Sequence, residues 1–109
     1  AITGATTDKI LDDAQVREFC SAVMREAQTI GNKIGIPIAQ TPDERHAVTR
    51  KLGAMKTSML QDVEAGKAIE LDALVAAVCE IGQKVNVPTP YTDALLGLTR
   101  LMARGRGLY

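Results

Sequence analysis

The sequence predicts a single-domain, all-α helical bundle. Apolar residues recur at intervals of three and four positions over long stretches, and no stretch alternates apolar and polar residues as a half-buried strand does. Neither Asn-Gly nor Asp-Gly, the usual centres of a tight β-hairpin, is present. A length of 109 residues, with 46% hydrophobic and 24% charged residues, is ordinary for one globular domain covering residues 1–109.

Charge and cysteine content argue against several classes of protein. Thirteen Lys and Arg residues balance thirteen Asp and Glu residues, so neither nucleic acid nor a membrane surface is an expected partner. No apolar run approaches the roughly 18 residues of a membrane span, and no signal peptide is visible. Cys20 and Cys79 lie in apolar helical stripes and are predicted to be buried, unpaired thiols. We expect a cytoplasmic protein, and no residue cluster has the spacing of a metal site.

The chain begins with two predicted helices of very different length. Thr7 and Asp8 can cap a short helix that runs through about Leu11. The range Ala14–Lys33 predicts a long amphipathic helix that Gly35 ends. Its apolar residues follow the helical spacing of three and four: Val16, Phe19, Cys20, Val23, Ala27 and Ile30.

A third helix start is marked by Thr41-Pro42-Asp43-Glu44, which offers a capping threonine, a proline at the first helical position and two acids. We expect this helix to run to about Leu52, with Gly53 near its end. The single histidine of the chain, His46, lies on this weakly apolar helix among charged residues. It is therefore predicted to be a solvated surface residue.

The central range Lys56–Asp72 contains the next helix start. Ser58 followed by Gln61 matches the capping box, in which serine accepts from a free helix amide and glutamine reaches back. Asp62 is expected in the first turn, where negative charge suits the helix dipole. Ala65-Gly66 is expected to end this short helix, because glycine is the usual residue just past a helix end.

Two further helices complete the predicted bundle. Glu70 and Asp72 are expected in the first turn of a helix that runs to Lys84. Pro90 opens the last helix, through Met102, and the range Arg100–Tyr109 is expected to fray into solvent.

One short pattern occurs twice. The ranges Gly31–Pro37 and Gly82–Pro88 both follow the pattern G-x-K-[IV]-[GN]-[IV]-P. Two copies do not make a solenoid repeat. We interpret them as the same chemistry used at two helix ends.

Ser58 and Glu70 are the candidate functional residues. A free helix start offers N–H groups to an anion, and a nearby carboxylate accepts hydrogen bonds from hydroxyls. This combination suits a small ligand that carries both a carboxylate and a hydroxyl. Two simpler roles remain open, with Ser58 acting as a helix cap alone and Glu70 as a first-turn acid alone.

Two motifs carry a family resemblance. T-S-M-L-Q-D-V-E-A-G-K-x-I-E-L-D, from Thr57 to Asp72, and G-Q-K-V-N-V-P-T-P, from Gly82 to Pro90, resemble the C-terminal helical domain of the 2-dehydropantoate 2-reductases, also called ketopantoate reductases. The resemblance runs from about Ala1 to Met102. It implies a helical bundle like the C-terminal domain of 6-phosphogluconate dehydrogenases.

The resemblance also implies a reaction and a set of residues. The family transfers hydride from NADPH to the 2-keto group of ketopantoate in pantothenate biosynthesis, with a lysine as proton donor. The substrate carboxylate is implied to bind at Ser58, Met59, Leu60 and Gln61. Glu70 is implied to face the nicotinamide end of the cofactor and the substrate hydroxyl. Asp72 is left as structural. No lysine of this chain lies at the family's catalytic position, so no residue here is assigned a catalytic role.

Two positions depart from the family pattern. Thr7-Asp8-Lys9 stands where many members have Asn-Gly-Glu, whose asparagine contacts the substrate, and Met55 stands where some members have another such asparagine. A paralogue that reduces a different 2-keto acid is therefore an open alternative.

The family's catalysis needs parts that this sequence does not contain. The chain has no dinucleotide-binding βαβ unit, so we expect an N-terminal Rossmann domain in the same parent protein, and no activity from this polypeptide alone. Without that domain and the helix before Ala1, the bundle should expose an apolar groove and form a homodimer or higher oligomer. The alternative is a free-standing helical dimerisation module without an active site.

Overall fold

A computed structural model describes residues 1–109, and all of its regular structure is helical. The helices are α1 (Thr7–Asp12), α2 (Ala14–Lys33), α3 (Pro42–Arg50), α4 (Ser58–Glu64), a π-helical turn (Asp72–Ala76) that continues into α5 (Ala77–Lys84), and α6 (Pro90–Gly105). The all-α prediction is confirmed. The bounds predicted for the long second helix are those observed, whereas the π-helical turn was not predicted.

Helix α2 is the centre of the bundle, because α1, α3, α5 and α6 all contact it. The principal buried cluster lies elsewhere, between the segment before the π-helical turn and the end of α6. It consists of Ile69, Leu71, Ala103 and Leu108, and partly buried side chains pack around it: Met59, Val63, Val75 and Leu96. These residues come from four separate segments, so the cluster joins α4, the π-helical turn, α6 and the chain's last residues.

Four helices end in the same way. At the end of α2, the Ile36 amide donates to the Gly31 carbonyl at 2.8 Å, and at the end of α5 the Val87 amide donates to the Gly82 carbonyl at 2.8 Å. Gly35 before Ile36 and Asn86 before Val87 both have a positive φ, as this type of helix end requires. The prediction that the repeated pattern marks two like helix ends is confirmed. Helices α4 and α6 end with equivalent bonds: the Lys67 amide donates to the Asp62 carbonyl, and the Leu108 amide donates to the Ala103 carbonyl, each at 2.8 Å.

The observed end of α6 contradicts the prediction that Arg100–Tyr109 frays into solvent. Helix α6 continues to Gly105, and Gly107 at φ +69° turns the chain back over it. Leu108 is thereby placed in the core with only 5% of its surface exposed. The prediction was wrong because the arginines suggested solvent, whereas the glycine followed by leucine marks a helix end closed by an apolar contact.

His46 is the second correction, because it is buried and not solvated. Its exposed fraction is 5%, and its Nε2 lies 2.8 Å from the Oγ of Ser21, which is also buried. Helix α3 has few apolar residues, but it packs against both α1 and α2, and His46 lies on the side that meets α2. The prediction failed because the partner that satisfies the ring is 25 residues away in sequence.

The two cysteines are free thiols, as predicted. Cys79 is buried and Cys20 half-buried, and burial raises the pKa of both thiols. No helix combines the length and the apolar character that a membrane crossing needs.

Candidate functional site

The start of α4 is shifted by one residue from its predicted position. Thr57 has an extended backbone, and its side chain accepts a hydrogen bond from the Leu60 amide at 3.3 Å. Thr57 is therefore the helix cap, and Ser58 is the first helical residue. The Gln61 side chain does not form the predicted box but donates to the Lys56 carbonyl at 2.9 Å.

The rest of the α4 prediction is partly wrong and partly confirmed. Asp62 is the fifth helical residue, and the first turn contains no acid, because the helix begins where Thr57 caps it. The predicted end is observed: Gly66 has φ +69°, and its amide donates to the Val63 carbonyl at 3.1 Å.

The shift leaves the hydroxyl of Ser58 free. Its side chain is exposed and makes no hydrogen bond within the chain, since Thr57 already performs the capping. The amides of Ser58 and Met59 precede the first helical hydrogen bond, which the Gln61 amide makes to the Thr57 carbonyl at 3.0 Å. One hydroxyl and two amides are thus open to an anion at this helix start.

The other three residues predicted beside Ser58 have different environments. Leu60 is 2% exposed, so its side chain belongs to the core, and its amide is occupied by Thr57. Met59 is half-buried and packs against the principal cluster. Gln61 is exposed, but its side-chain nitrogen is held by the Lys56 carbonyl. Only Ser58 and the amide of Met59 are therefore free to bind.

Glu70 lies two positions before the π-helical turn, which begins at Asp72, and is therefore not in the first turn of the helix. Its carbonyl accepts the Leu74 amide at 3.2 Å, whereas its carboxylate is exposed and makes no hydrogen bond within the chain. The flanking residues Ile69 and Leu71 are both buried, at 8% and 0% exposed. Asp72 has a structural contact, because its Oδ1 accepts a hydrogen bond from the Tyr109 hydroxyl at 2.7 Å.

One apolar groove is lined by residues from both predicted site segments together with residues of α1, α2 and α6. It has a volume of about 450 Å³, and 11 of its 14 lining residues are hydrophobic, among them Met59 after Ser58 and Leu71 after Glu70. The neighbours of both candidate residues thus line the same groove. Its apolar walls would not hold a carboxylate, so a charged ligand group would have to lie at its rim.

The two positions that depart from the family pattern are also adjacent in space. The Thr7 amide donates to the Met55 carbonyl at 2.9 Å, and the Thr7 hydroxyl donates to the Gly53 carbonyl at 3.0 Å. Thr7 is 6% exposed, so its hydroxyl is used internally and is not open to a ligand. Asp8 next to it has a pKa below its usual range, chiefly because the Thr6 hydroxyl donates to its carboxylate.

Sequence reasoning missed one partly buried polar arrangement completely. Glu26 of α2 accepts hydrogen bonds from the Tyr91 amide at 2.9 Å, the Thr92 amide at 2.8 Å and the Thr92 hydroxyl at 2.6 Å, so it caps the start of α6. Thr89 stands at the N-cap position but caps no amide with its side chain, because its hydroxyl donates to the Asp93 carboxylate at 2.9 Å. No local signal could identify Glu26, because it lies 65 residues from Tyr91.

The buried pair of Ser21 and His46 has the residue types of a nucleophilic dyad but not its hydrogen bonding. The Ser21 hydroxyl lies 3.1 Å from the Arg17 carbonyl oxygen and 2.8 Å from Nε2 of His46; we assign its one proton to the carbonyl, which makes Nε2 the donor to Ser21. A histidine that donates to the serine cannot act as its general base. The pair is therefore structural, and no group of three or more His, Cys, Asp or Glu side chains is arranged to hold a metal ion.

Comparison with known protein families gives one consistent result. Residues 1–103 match the family model described as ketopantoate reductase PanE/ApbA C terminal. The chain is 44% identical over all 109 residues to the 2-dehydropantoate 2-reductase of Mesorhizobium japonicum. That match covers 33% of the relative, so the chain spans about a third of its length.

Solved structures agree with the sequence matches. A Ralstonia solanacearum MolK2 protein assigned as a ketopantoate reductase superposes with a TM-score of 0.93 at 60% identity, over 99% of this chain and 32% of that one. The 2-dehydropantoate 2-reductase of Methylococcus capsulatus superposes with a TM-score of 0.85 at 26% identity, over 94% of this chain and 33% of that one. The dimeric ketopantoate reductase of Staphylococcus aureus shares the fold at 18% identity, with a TM-score of 0.77 over 97% of this chain and 38% of that one.

Proposed function

Because the chain belongs to the ketopantoate reductase family, whose C-terminal domain it forms, we propose that it is the substrate-binding domain of an NADPH-dependent 2-dehydropantoate 2-reductase. The observation that carries this proposal is the alignment of the whole chain with the Mesorhizobium japonicum enzyme at 44% identity. The chain spans about a third of that relative, so the cofactor fold and the proton donor are proposed to lie in the rest of the protein.

The proposed substrate site lies at the start of α4. Ser58 and the amide of Met59 hold the carboxylate of the 2-keto acid, while Leu60 and Gln61 fix the helix start from the core and from Lys56. The proposal is supported by the free Ser58 hydroxyl and by the unpaired amides at this helix start. Glu70 faces the nicotinamide end of the cofactor and accepts from the substrate hydroxyl, for which its unengaged carboxylate is suited.

A paralogue that reduces another 2-keto acid is the second candidate, and Thr7 favours it. In the family pattern an asparagine at this position contacts the substrate, whereas the Thr7 hydroxyl is bonded to the Gly53 carbonyl. Comparing kcat/KM for ketopantoate with that for 2-keto acids lacking its hydroxyl decides between the two. A preference for ketopantoate of less than about tenfold would favour the paralogue.

We further propose two protein partners, the N-terminal dinucleotide-binding domain of the same protein and a second copy of the chain. Apolar surface supports this proposal: Leu98 and Leu101 of α6 are 59% and 72% exposed, and the groove is also lined mainly by apolar residues. A dimerisation module without an active site would use the same surface. Sedimentation of the full-length protein tests the association, and turnover with NADPH separates the enzyme from the module.

A substitution series at Ser58 tests the proposed substrate site. Ser58→Asp keeps a favourable first-turn residue but places a negative charge against the substrate carboxylate. We expect the melting temperature to be preserved and the KM for the keto acid in the full-length enzyme to rise by at least about tenfold. Ser58→Ala should change the free energy of unfolding by less than about 0.5 kcal/mol, because the cap is Thr57.

Thr57→Ala is the matched control. It removes the cap and should lower stability by about 1 kcal/mol while leaving the KM near its wild-type value. Equal KM values for the wild type and Ser58→Asp would reject the carboxylate-binding role of this serine.

A further inference from the structure

The last residues of the chain close over the segment that contains Glu70. We call Gly107–Tyr109 the C-terminal clamp. Gly107 has φ +69°, and the Leu108 amide donates to the Ala103 carbonyl at 2.8 Å, so the clamp turns back along the end of α6. The Ile69 amide then donates to the Leu108 carbonyl at 3.0 Å, which joins the clamp to the residue before Glu70.

Side-chain burial strengthens the same connection. Leu108 is 5% exposed and belongs to one buried cluster with Ile69 and Leu71, the two neighbours of Glu70. Leu71 has no exposed surface at all. The backbone on both sides of Glu70 is therefore fixed by residues that pack against the clamp.

Tyr109 makes the third connection. Its hydroxyl donates to Oδ1 of Asp72 at 2.7 Å, at the first residue of the π-helical turn, and the guanidinium of Arg104 lies 5.3 Å from its ring centre. The clamp thus contacts the chain before Glu70 through Leu108 and after it through Tyr109. The Glu70 carboxylate has no hydrogen bond of its own within the chain, so its position depends on this backbone.

We propose that Leu108 and Tyr109 are positioning residues that hold Glu70 in place for hydride transfer, an inference that rests on the role proposed above for Glu70. Both lie beyond residues 1–103, the part that matches the family model. The alignment with the Mesorhizobium japonicum relative nevertheless extends over all 109 residues. Tyr109, at 46% exposed, is the part of the clamp that can be altered without opening the core.

A kinetic cycle in the full-length enzyme tests the proposal. Tyr109→Phe removes the bond to Asp72 but keeps the ring beside Arg104, and we expect kcat to fall by about three- to tenfold with the KM for the keto acid unchanged. In a Glu70→Gln background the same substitution should change kcat by less than about twofold, because the residue through which it acts is already altered. Tyr91→Phe is the control, since this exposed phenol makes no hydrogen bond with its hydroxyl, and its kcat should equal that of the wild type. An unchanged kcat in Tyr109→Phe, or an equal loss in both backgrounds, would overturn the proposal.

Hydrogen exchange separates this proposal from the proposed function. Tyr109→Phe and Leu108→Ala should each speed exchange of the Ile69 amide by at least about tenfold, while amides of α3, a helix that does not contact α6, keep their wild-type rates. The function proposed for Glu70 fails if the wild type does not turn over ketopantoate, or if the kcat of Glu70→Gln equals that of the wild type. In either case the exchange rate of the Ile69 amide still tests whether the clamp holds this segment. Wild-type exchange at Ile69 in both variants shows that the clamp does not hold this segment and overturns the inference.

Discussion

The buried bond between Ser21 and His46 predicts an asymmetric response to substitution. With the Ser21 proton assigned to the Arg17 carbonyl, Ser21 accepts from Nε2–H of His46, so removing the serine leaves the ring without its acceptor, whereas removing the ring leaves the serine its bond to Arg17. Ser21→Ala leaves Nε2–H without an acceptor in a site where His46 is 5% exposed. The desolvation cost of such an unpaired donor is about 1–3 kcal/mol, and this is the loss we expect in the free energy of unfolding.

The reverse substitution should cost less. His46→Leu replaces the ring by an apolar side chain, and the Ser21 hydroxyl keeps its bond to the Arg17 carbonyl. We expect a loss below about 1.5 kcal/mol, in the range of tolerated core replacements. In the double variant no unpaired donor remains, so it should be more stable than the sum of the single losses predicts, by about 1–2 kcal/mol.

Urea unfolding of the wild type, both single variants and the double variant measures this coupling. Thr29→Ala is the matched control, because the Thr29 hydroxyl also donates to the carbonyl four residues earlier on α2, at 3.0 Å, but is exposed and has no second partner. Its effect should stay within about 0.5 kcal/mol. Additive losses in the double variant, or equal losses from Ser21→Ala and Thr29→Ala, would refute the reasoning.

Two further predictions concern a glycine and a tyrosine. A Cβ at Gly31 would lie 2.6 Å from the Ile36 carbonyl oxygen, so Gly31→Ala should lower stability by about 1–3 kcal/mol, whereas Gly97→Ala, which meets nothing within 4 Å, should raise it by about 0.5–1 kcal/mol in the same urea assay. An equal effect of the two substitutions would contradict this. The hydrogen bond to Asp72 raises the pKa of Tyr109 in the folded protein, so its contribution to stability is present below the unfolded value of about 10 and is lost as pH rises through the higher folded pKa. Melting temperatures across alkaline pH should therefore fall more steeply for the wild type than for Tyr109→Phe, and parallel curves would contradict the assignment.

The features that were predicted correctly have local causes. Helix α2 begins and ends where its apolar spacing and Gly35 indicate, and α3 begins at the proline after Thr41, whose side chain accepts from the Glu44 amide at 3.1 Å. Each of these signals lies within a few residues of the feature that it determines. Local propensity and the final packing agree there, so the pattern alone was sufficient.

The features that were missed depend on residues far apart in sequence. His46 is buried because Ser21 lies opposite it, and α6 is capped by Glu26 although Thr89 stands at the usual position. Nothing near His46 or Pro90 in sequence encodes these partners. Periodicity assigns a residue to a face of its own helix, but only the packing of the helices decides what that face meets.

At the candidate site, two neighbouring residues give competing signals for the start of α4. Thr57 and Ser58 are adjacent hydroxyl residues, and either can cap a helix. Gln61 favoured Ser58 by its spacing, but the backbone is extended at Thr57 and helical from Ser58 onward. A shift of one residue changes Ser58 from a capping residue to an open hydroxyl, and sequence could not determine which of the two applies.

The position of Leu108 in the core has a consequence for biosynthesis. The cluster that contains Ile69 and Leu71 cannot close until residue 108 has left the ribosome, whereas the contacts of Thr7 with Gly53 and of Ser21 with His46 need only the first half of the chain. The α1–α3 region can thus form during synthesis, while the segment around Glu70 acquires its structure last. Limited proteolysis of ribosome-bound nascent chains of increasing length should accordingly show protection of the α1–α3 region before protection of the segment around Ile69. The stretch that carries the candidate site is in this sense the final part of the domain to mature.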